Sequence, residues 1–140
     1  MKIRKVAIII FYDDKGRILL QDRRGISKLG EEWGFFGGEI KEDETPKQAI
    51  VRETKEELNF DLKEYKYFGE YSYDIKNQVS FPWDKVLCKV FIAPLKSNLS
   101  KFKQLEGKKM QLFSLEEAEK LKMASEREIH MVRKLKKILR

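Results

Sequence analysis

Three glutamates, Glu53, Glu56 and Glu57, stand at i, i+3 and i+4. On a helix this spacing crowds them onto one face, where like charges repel. A positive partner would offset that repulsion, and the candidate is a divalent cation carrying a phosphorylated substrate. Mg2+ takes octahedral oxygen ligands and keeps several waters, so one or two carboxylates plus substrate phosphates are enough to hold it. Glu53 and Glu57, one turn apart, can share an ion. Glu56 beside them can bind metal or take a proton. Arg52 lies four residues before Glu56, so an ion pair can also occupy part of this face. Taken alone, Arg-Glu-x-x-Glu-Glu reads as an ordinary solvated amphipathic helix.

The flanking sequence supplies the frame. Thr45 can cap a helix that begins at Pro46, with Gln48 completing a capping box. Ala49, Ile50, Thr54 and Leu58 form its inward stripe, and Asn59 follows at the position where a left-handed residue ends a helix. Upstream, Val6 to Phe11 and Arg17 to Gln21 read as strands joined by a turn at Asp13-Asp14-Lys15-Gly16. Residues 22 to 32 read as a loop. Trp33 to Phe36 reads as a short strand feeding the pair Gly37-Gly38. Downstream, Leu62 to Tyr73 and Lys85 to Leu95 read as longer strands around a 74–84 loop, and residues 97 to 107 as a polar loop. Lys108 to Phe113 alternates as a strand. Ser114 with Glu117 opens a short helix to about Lys122, and Ser125 with Glu128 opens a last one. Its inward stripe is expected at Ile129, Val132, Leu135 and Leu139, with a basic outer face. The order predicts an α/β fold, one mixed sheet with helices on its faces.

Residues 38 to 60 resemble the Nudix box, the signature of the Nudix hydrolase family. Gly38, Glu44, Arg52, Glu53, Glu56 and Glu57 stand at its spacings, and Phe60 fills its last apolar position. Thr54 replaces an aliphatic, Asn59 replaces a glycine, and Phe36 stands where many members have proline. Neither change within the box touches a charged residue, and Asn is the side chain best able to adopt the left-handed conformation. The resemblance implies a Nudix-type α/β/α sandwich spanning residues 1–140 as a single domain. It implies a MutT-like pyrophosphohydrolase that uses Mg2+, with Mn2+ as a substitute, on a nucleoside diphosphate linked to another group. It further implies that Arg52 orients the catalytic carboxylates and that a carbonyl of Gly37 or Gly38 joins the metal shell. The general base varies across the family. Glu56 is one candidate and Glu106, on a downstream loop, is the other.

Weaker signals concern the substrate. Arg23 and Arg24 follow the second strand and suit bidentate phosphate contacts, although at least one of them reads better as part of a solvated loop. Phe81 and Trp83, in the 74–84 loop, are candidates for stacking on a base. His130 and Cys88 are the only residues of their types and read as structural.

Composition bounds the rest. The chain has 140 residues, 41% hydrophobic and 38% charged, with a formal charge of +7. No apolar run is long enough to span a membrane. The N-terminal run ends at Tyr12-Asp13-Asp14 without a small-residue cleavage site, so it reads as a strand rather than a signal peptide. One cysteine cannot form an internal disulfide, which fits a reducing cytoplasm. A basic surface attracts polyanions. Solubility accounts for most of the lysines, and it is the resemblance that implies the partner: a nucleotide, most simply a nucleoside triphosphate, intact or oxidised, cleaved to monophosphate and pyrophosphate. Alternatives are an RNA-associated or cap-type protein, a hydrolase of nucleotide sugars or dinucleotides, and an idle nucleotide-binding regulator. No RNA-binding module is present to favour the first. Homodimerisation is common in the family, and no residue demonstrates it here.

Overall fold

The computed structural model describes residues 1–27, 30–75, 82–103 and 109–139. Among the described residues seven strands form one mixed sheet: β1 (Ile3–Tyr12), β2 (Ile18–Asp22), β3 (Trp33–Gly34), β4 (Phe36–Glu39), β5 (Lys66–Asp74), β6 (Lys85–Pro94) and β7 (Met110–Phe113). The α-helices are α1 (Pro46–Leu58), α2 (Leu115–Ala118) and α3 (Glu126–Leu139).

β1 is the spine. One edge runs parallel to β6 along its whole length, Ile3 opposite Lys85 and Tyr12 opposite Pro94. The other edge takes β4 antiparallel, Ala7 opposite Gly38 and Ile8 opposite Gly37, and then β2 at Tyr12 and Ile18. β5 extends the sheet beyond β6, while β3 and β7 flank β2. Alternation along β1 divides the core in two. Val6, Ile8 and Ile10 face Met131, Val132 and Leu135 of α3. Ala7, Ile9 and Phe11 face Ala49, Ile50 and Leu58 of α1. A strand buried on both faces must be apolar throughout, which is why Val6 to Phe11 has no polar position.

Several boundaries differ from the sequence expectation. Trp33 to Phe36 is not one strand: the chain breaks at Phe35, so that β3 pairs with β2 and β4 pairs with β1. Gly37 and Gly38 therefore lie within β4 rather than after it. β5 begins at Lys66, because Leu62 instead fills the core under α1 and Tyr65 packs edge-on against Phe91. The polar 97–103 stretch contains a 3-10 turn, Asn98–Lys101, that delivers Phe102 onto Phe11 and Phe60. α2 stops at Ala118, short of Lys122.

The capping boxes at Thr45–Gln48 and Ser114–Glu117 form as expected. The third does not. Ser125 Oγ accepts from Arg127 N, and Glu128 turns inward to accept from Ala124 N. The buried stripe of α3 is accordingly Glu128, Met131, Val132 and Leu135, rotated away from Ile129. Arg127, Arg133, Lys134 and Lys137 remain on its exposed face. Among the described residues, no helix is long and apolar enough to cross a membrane.

Candidate active site

α1 starts where Pro46 fixes the first φ and Thr45 Oγ1 accepts from Gln48 N at 3.1 Å. It ends where Asn59 turns left-handed at φ 51°. Thr54, in an aliphatic position of the motif, is buried and satisfies its hydroxyl by donating to Ile50 O at 2.7 Å. The helix thus presents Arg52, Glu53, Glu56 and Glu57 to the glycine strand β4.

Arg52 is the hub of this face. Its Nε donates to Glu44 Oε2 at 2.7 Å and its Nη2 to Glu44 Oε1 at 2.9 Å, a two-pronged grip. Nη1 donates to Glu53 at 2.8 Å and to Glu56 at 3.2 Å. Nη2 also reaches Glu39 O at 2.8 Å. The guanidinium is thereby saturated. Its hydrogen bonds to Glu44 and Glu53 raise its pKa further, and the contact with Glu44 holds that carboxyl down at about 2. The positive partner that the crowded glutamates require is, in the first instance, this side chain. The expected Arg52–Glu56 pair is present, and the stronger one, to Glu44, joins residues eight apart.

The three helix glutamates occupy different depths. Glu53 is nearly buried and lines a cleft. Glu56 is half exposed beside it. Glu57 is 2% exposed, and its Oε1 accepts from Gly37 N at 3.0 Å, pinning β4 to α1. The two glycines are required by this closeness. A Cβ on Gly37 would strike Ala7 O, and its φ of +147° disfavours any L side chain. A Cβ on Gly38 would strike the Glu53 carboxylate.

The donors gathered here are carboxylate and peptide oxygens, the hard ligands that Mg2+ takes. Among the described residues, no three carboxylate, thiol or imidazole groups converge as a complete cage. That suits an ion held by one or two carboxylates and completed by substrate phosphates and water. Glu53 and Glu56, with a Gly37 or Gly38 carbonyl, fit such a group. Glu57 fits it less directly, since one of its oxygens is engaged by Gly37.

The cleft beside this face has a volume of about 360 Å3. Besides Glu53, Gly37 and Gly38 it is lined by Arg23, as the sequence suggested, and by Arg4, Glu31, Tyr73 and Glu128, which sequence reasoning missed. Arg24 does not line it. Its guanidinium is held by Asp22 at 2.6 Å and lies over the Trp33 ring, so it braces the loop. Trp83 is half-buried and also stands apart from the cleft lining. Phe81 and Glu106 lie outside the described residues. Cys88 reaches the cleft wall, but burial pushes its thiol up to about 12, consistent with a structural role.

The sheet with helices on both faces, and an acidic helix pinned against a glycine strand, define an α/β/α sandwich with a carboxylate-lined cleft at one end of the sheet. The chain belongs to the Nudix family: the model described as NUDIX domain matches residues 1–135. It is similar to the CTP pyrophosphohydrolase of Escherichia coli strain K12, 33% identical over 79 residues, covering 56% of this chain and 58% of that protein. It is also similar to the 8-oxo-dGTP diphosphatase of Proteus vulgaris, 27% identical over 73 residues, covering 52% and 65%. The match thus spans less than two thirds of either relative. Among solved structures, a MutT protein from Methanosarcina mazei superposes with a TM-score of 0.78 at 19% identity, covering 97% of this chain and 94% of that one. The Escherichia coli ORF135 protein gives 0.73 at 24%, covering 95% and 88%. At these identities the two structures speak to the fold.

Proposed function

We propose that this chain is a divalent-metal-dependent pyrophosphohydrolase that cleaves a nucleoside triphosphate to the monophosphate and pyrophosphate. The observation that carries this reading is Arg52, which gathers Glu44, Glu53 and Glu56 on one face, of which Glu53 lines a cleft together with Gly37, Gly38 and Arg23. Catalytic carboxylates must be held in fixed positions to act on phosphate, and the fork of a guanidinium does this better than a point charge. Mg2+, when bound, supplies charge neutralisation on phosphoryl oxygens and a lowered pKa for the attacking water.

The protein side of the chemistry follows from the depths of the glutamates. Glu53 faces the cleft and, with Glu56 and a glycine carbonyl, holds the ion. Arg23, 26% exposed and only loosely paired with Glu31 at 4.0 Å, is placed to receive phosphate oxygens. Glu56, the most exposed carboxylate of the three, can accept a proton from water. Glu106 is the alternative base. Support for triphosphates in particular comes from the similarity to relatives named for CTP and 8-oxo-dGTP.

A screen of nucleoside triphosphates, nucleotide sugars and dinucleotides with Mg2+ or Mn2+ tests this, run beside Glu53→Gln. The expected result is release of pyrophosphate from at least one triphosphate, reduced about 100-fold or more in kcat by the substitution. Hydrolysis of no diphosphate compound, or equal rates in the variant, would refute the assignment.

A further inference from the structure

β4 is only four residues long, yet it carries both glycines of the site. It is held from several directions. The β1 ladder runs along one edge, Val6 opposite Glu39 and Ile9 opposite Phe36. Glu57 of α1 accepts from Gly37 N at 3.0 Å, and Arg52 of α1 donates to Glu39 O at 2.8 Å. At the entrance, Gln21 Nε2 of β2 donates to Phe35 O at 3.0 Å. Two of these three side chains therefore belong to the helix and move with it. Gln21 is rooted in the sheet.

Phe35 is the residue at which the chain leaves β2 and joins β1. It belongs to neither ladder, and a buried carbonyl at such a crossing needs a donor from elsewhere. Gln21 is 2% exposed, and its backbone already pairs with Gly34 on one side and Met110 on the other. Only its side chain can serve the crossing. That service has a cost, because Gln21 Oε1 is buried with no hydrogen-bond partner among the described residues. Turning the amide over gives no relief, since Oε1 would then face Phe35 O, acceptor against acceptor. Leucine, of similar volume, would fill the space without a second unpaired oxygen. Packing thus does not call for glutamine at this position. Its one side-chain hydrogen bond ends two residues before Gly37. Gln21 also lines the cleft, whose floor includes Val6 and Ile8 of β1 and Val86 of β6.

We propose that Gln21 is a positioning residue for the glycine strand: its amide fixes the Phe35 carbonyl and so sets where Gly37 and Gly38 stand relative to Glu53. This deepens the hydrolase reading above and rests on it. Small errors are enough to matter, since a misplacement of about 1 Å far from the chemistry can cost about 100-fold in rate.

Two substitutions test it. Gln21→Leu removes the donor and the unpaired oxygen together, so its melting temperature should stay within about 5 °C of wild type. Its kcat should fall about tenfold or more, with KM for the nucleotide changed less than about twofold. Gln21→Glu sets two acceptors against Phe35 O when ionised but donates to it when protonated. Burial favours the protonated form, so its kcat relative to wild type should recover as pH is lowered from about 9 to 6. A packing defect would not follow pH in that way. Amide exchange at Gly37, followed by NMR, reads the strand with no nucleotide present. It should quicken about tenfold in Gln21→Leu while the amides of β6 keep their rates. Unchanged kcat in folded Gln21→Leu, unchanged exchange at Gly37, or a Gln21→Glu deficit that ignores pH each overturns the proposal. Should Gln21→Leu fail to fold, the pH series of Gln21→Glu decides alone. If the wild type hydrolyses no nucleotide, the hydrolase reading falls, and exchange at Gly37 still decides whether Gln21 sets the strand.

Discussion

Arg52 spends its whole donor fork on positioning, and that sets what its replacement must do. Lysine keeps the charge but is a compact donor that cannot grip Glu44 with two prongs while bridging Glu53 and Glu56. Arg52→Lys should therefore lower kcat about 100-fold, by letting the carboxylates drift, while unfolding free energy changes by only about 1 kcal/mol. Steady-state kinetics beside a denaturant melt check both halves. An equal loss in both would make Arg52 a stability residue. The shared face of Arg52, Glu53, Glu56 and Glu57 was legible as a local pattern, and Gly38, Glu44 and the caps around it singled it out from an ordinary charged helix. Glu128 was not legible. Its position suggested a cap, and only packing against β5 turns it inward. Nor could sequence separate Arg23 from its neighbour Arg24, since Asp22 and Trp33 become partners of the second only after the loop folds.

The contact between β4 and α1 depends on two glycines that do different work. Gly37 needs both its φ of +147° and the space next to Ala7 O. Gly37→Ala should cost roughly 3 kcal/mol, read as a lowered denaturant midpoint, because backbone must move. Gly38 has no such φ, and an added Cβ meets only the end of the Glu53 side chain. Gly38→Ala should therefore leave stability within about 1 kcal/mol and lower activity about 100-fold by displacing Glu53. Comparable stability losses in the two variants would contradict this division. Element types were legible where periodicity or caps were strong: α1 with its Thr-Pro start and Asn exit, and β1, β2 and β6 with their apolar runs. The break at Phe35 was hidden because β3 and β4 differ only in which strand they join, a tertiary fact. The late start of β5 was hidden for a similar reason, since Leu62 is as apolar in a core loop as in a strand.

At the scale of the molecule, two carboxyls give stability opposite dependences on pH. Glu128 binds its proton more tightly folded, near 7, than at its ordinary value of 4.5. Between those values the folded state holds more protons, so stability falls as pH rises, by on the order of 3 kcal/mol in all. Glu44 is held near 2 by Arg52, so its contribution is present above 4.5 and is lost as pH falls toward 2. Melting temperature should peak near pH 5, and Glu128→Gln should abolish the decline between about pH 5 and 7.5. A variant with an unchanged decline would remove Glu128 as its cause. The ten-residue parallel ladder between β1 and β6 has a consequence of another kind, in the order of assembly. Its paired residues lie 82 positions apart in the chain, from Ile3 and Lys85 to Tyr12 and Pro94. During synthesis β2 and β4 can pair with β1 early, but its other edge stays open until β6 emerges. Loop closure over that distance is slow relative to local pairing. The strand carrying Val6 to Phe11 is thus the segment most in need of protection on the ribosome, and the cleft, whose floor spans β1 and β6, is among the last features of the molecule to form.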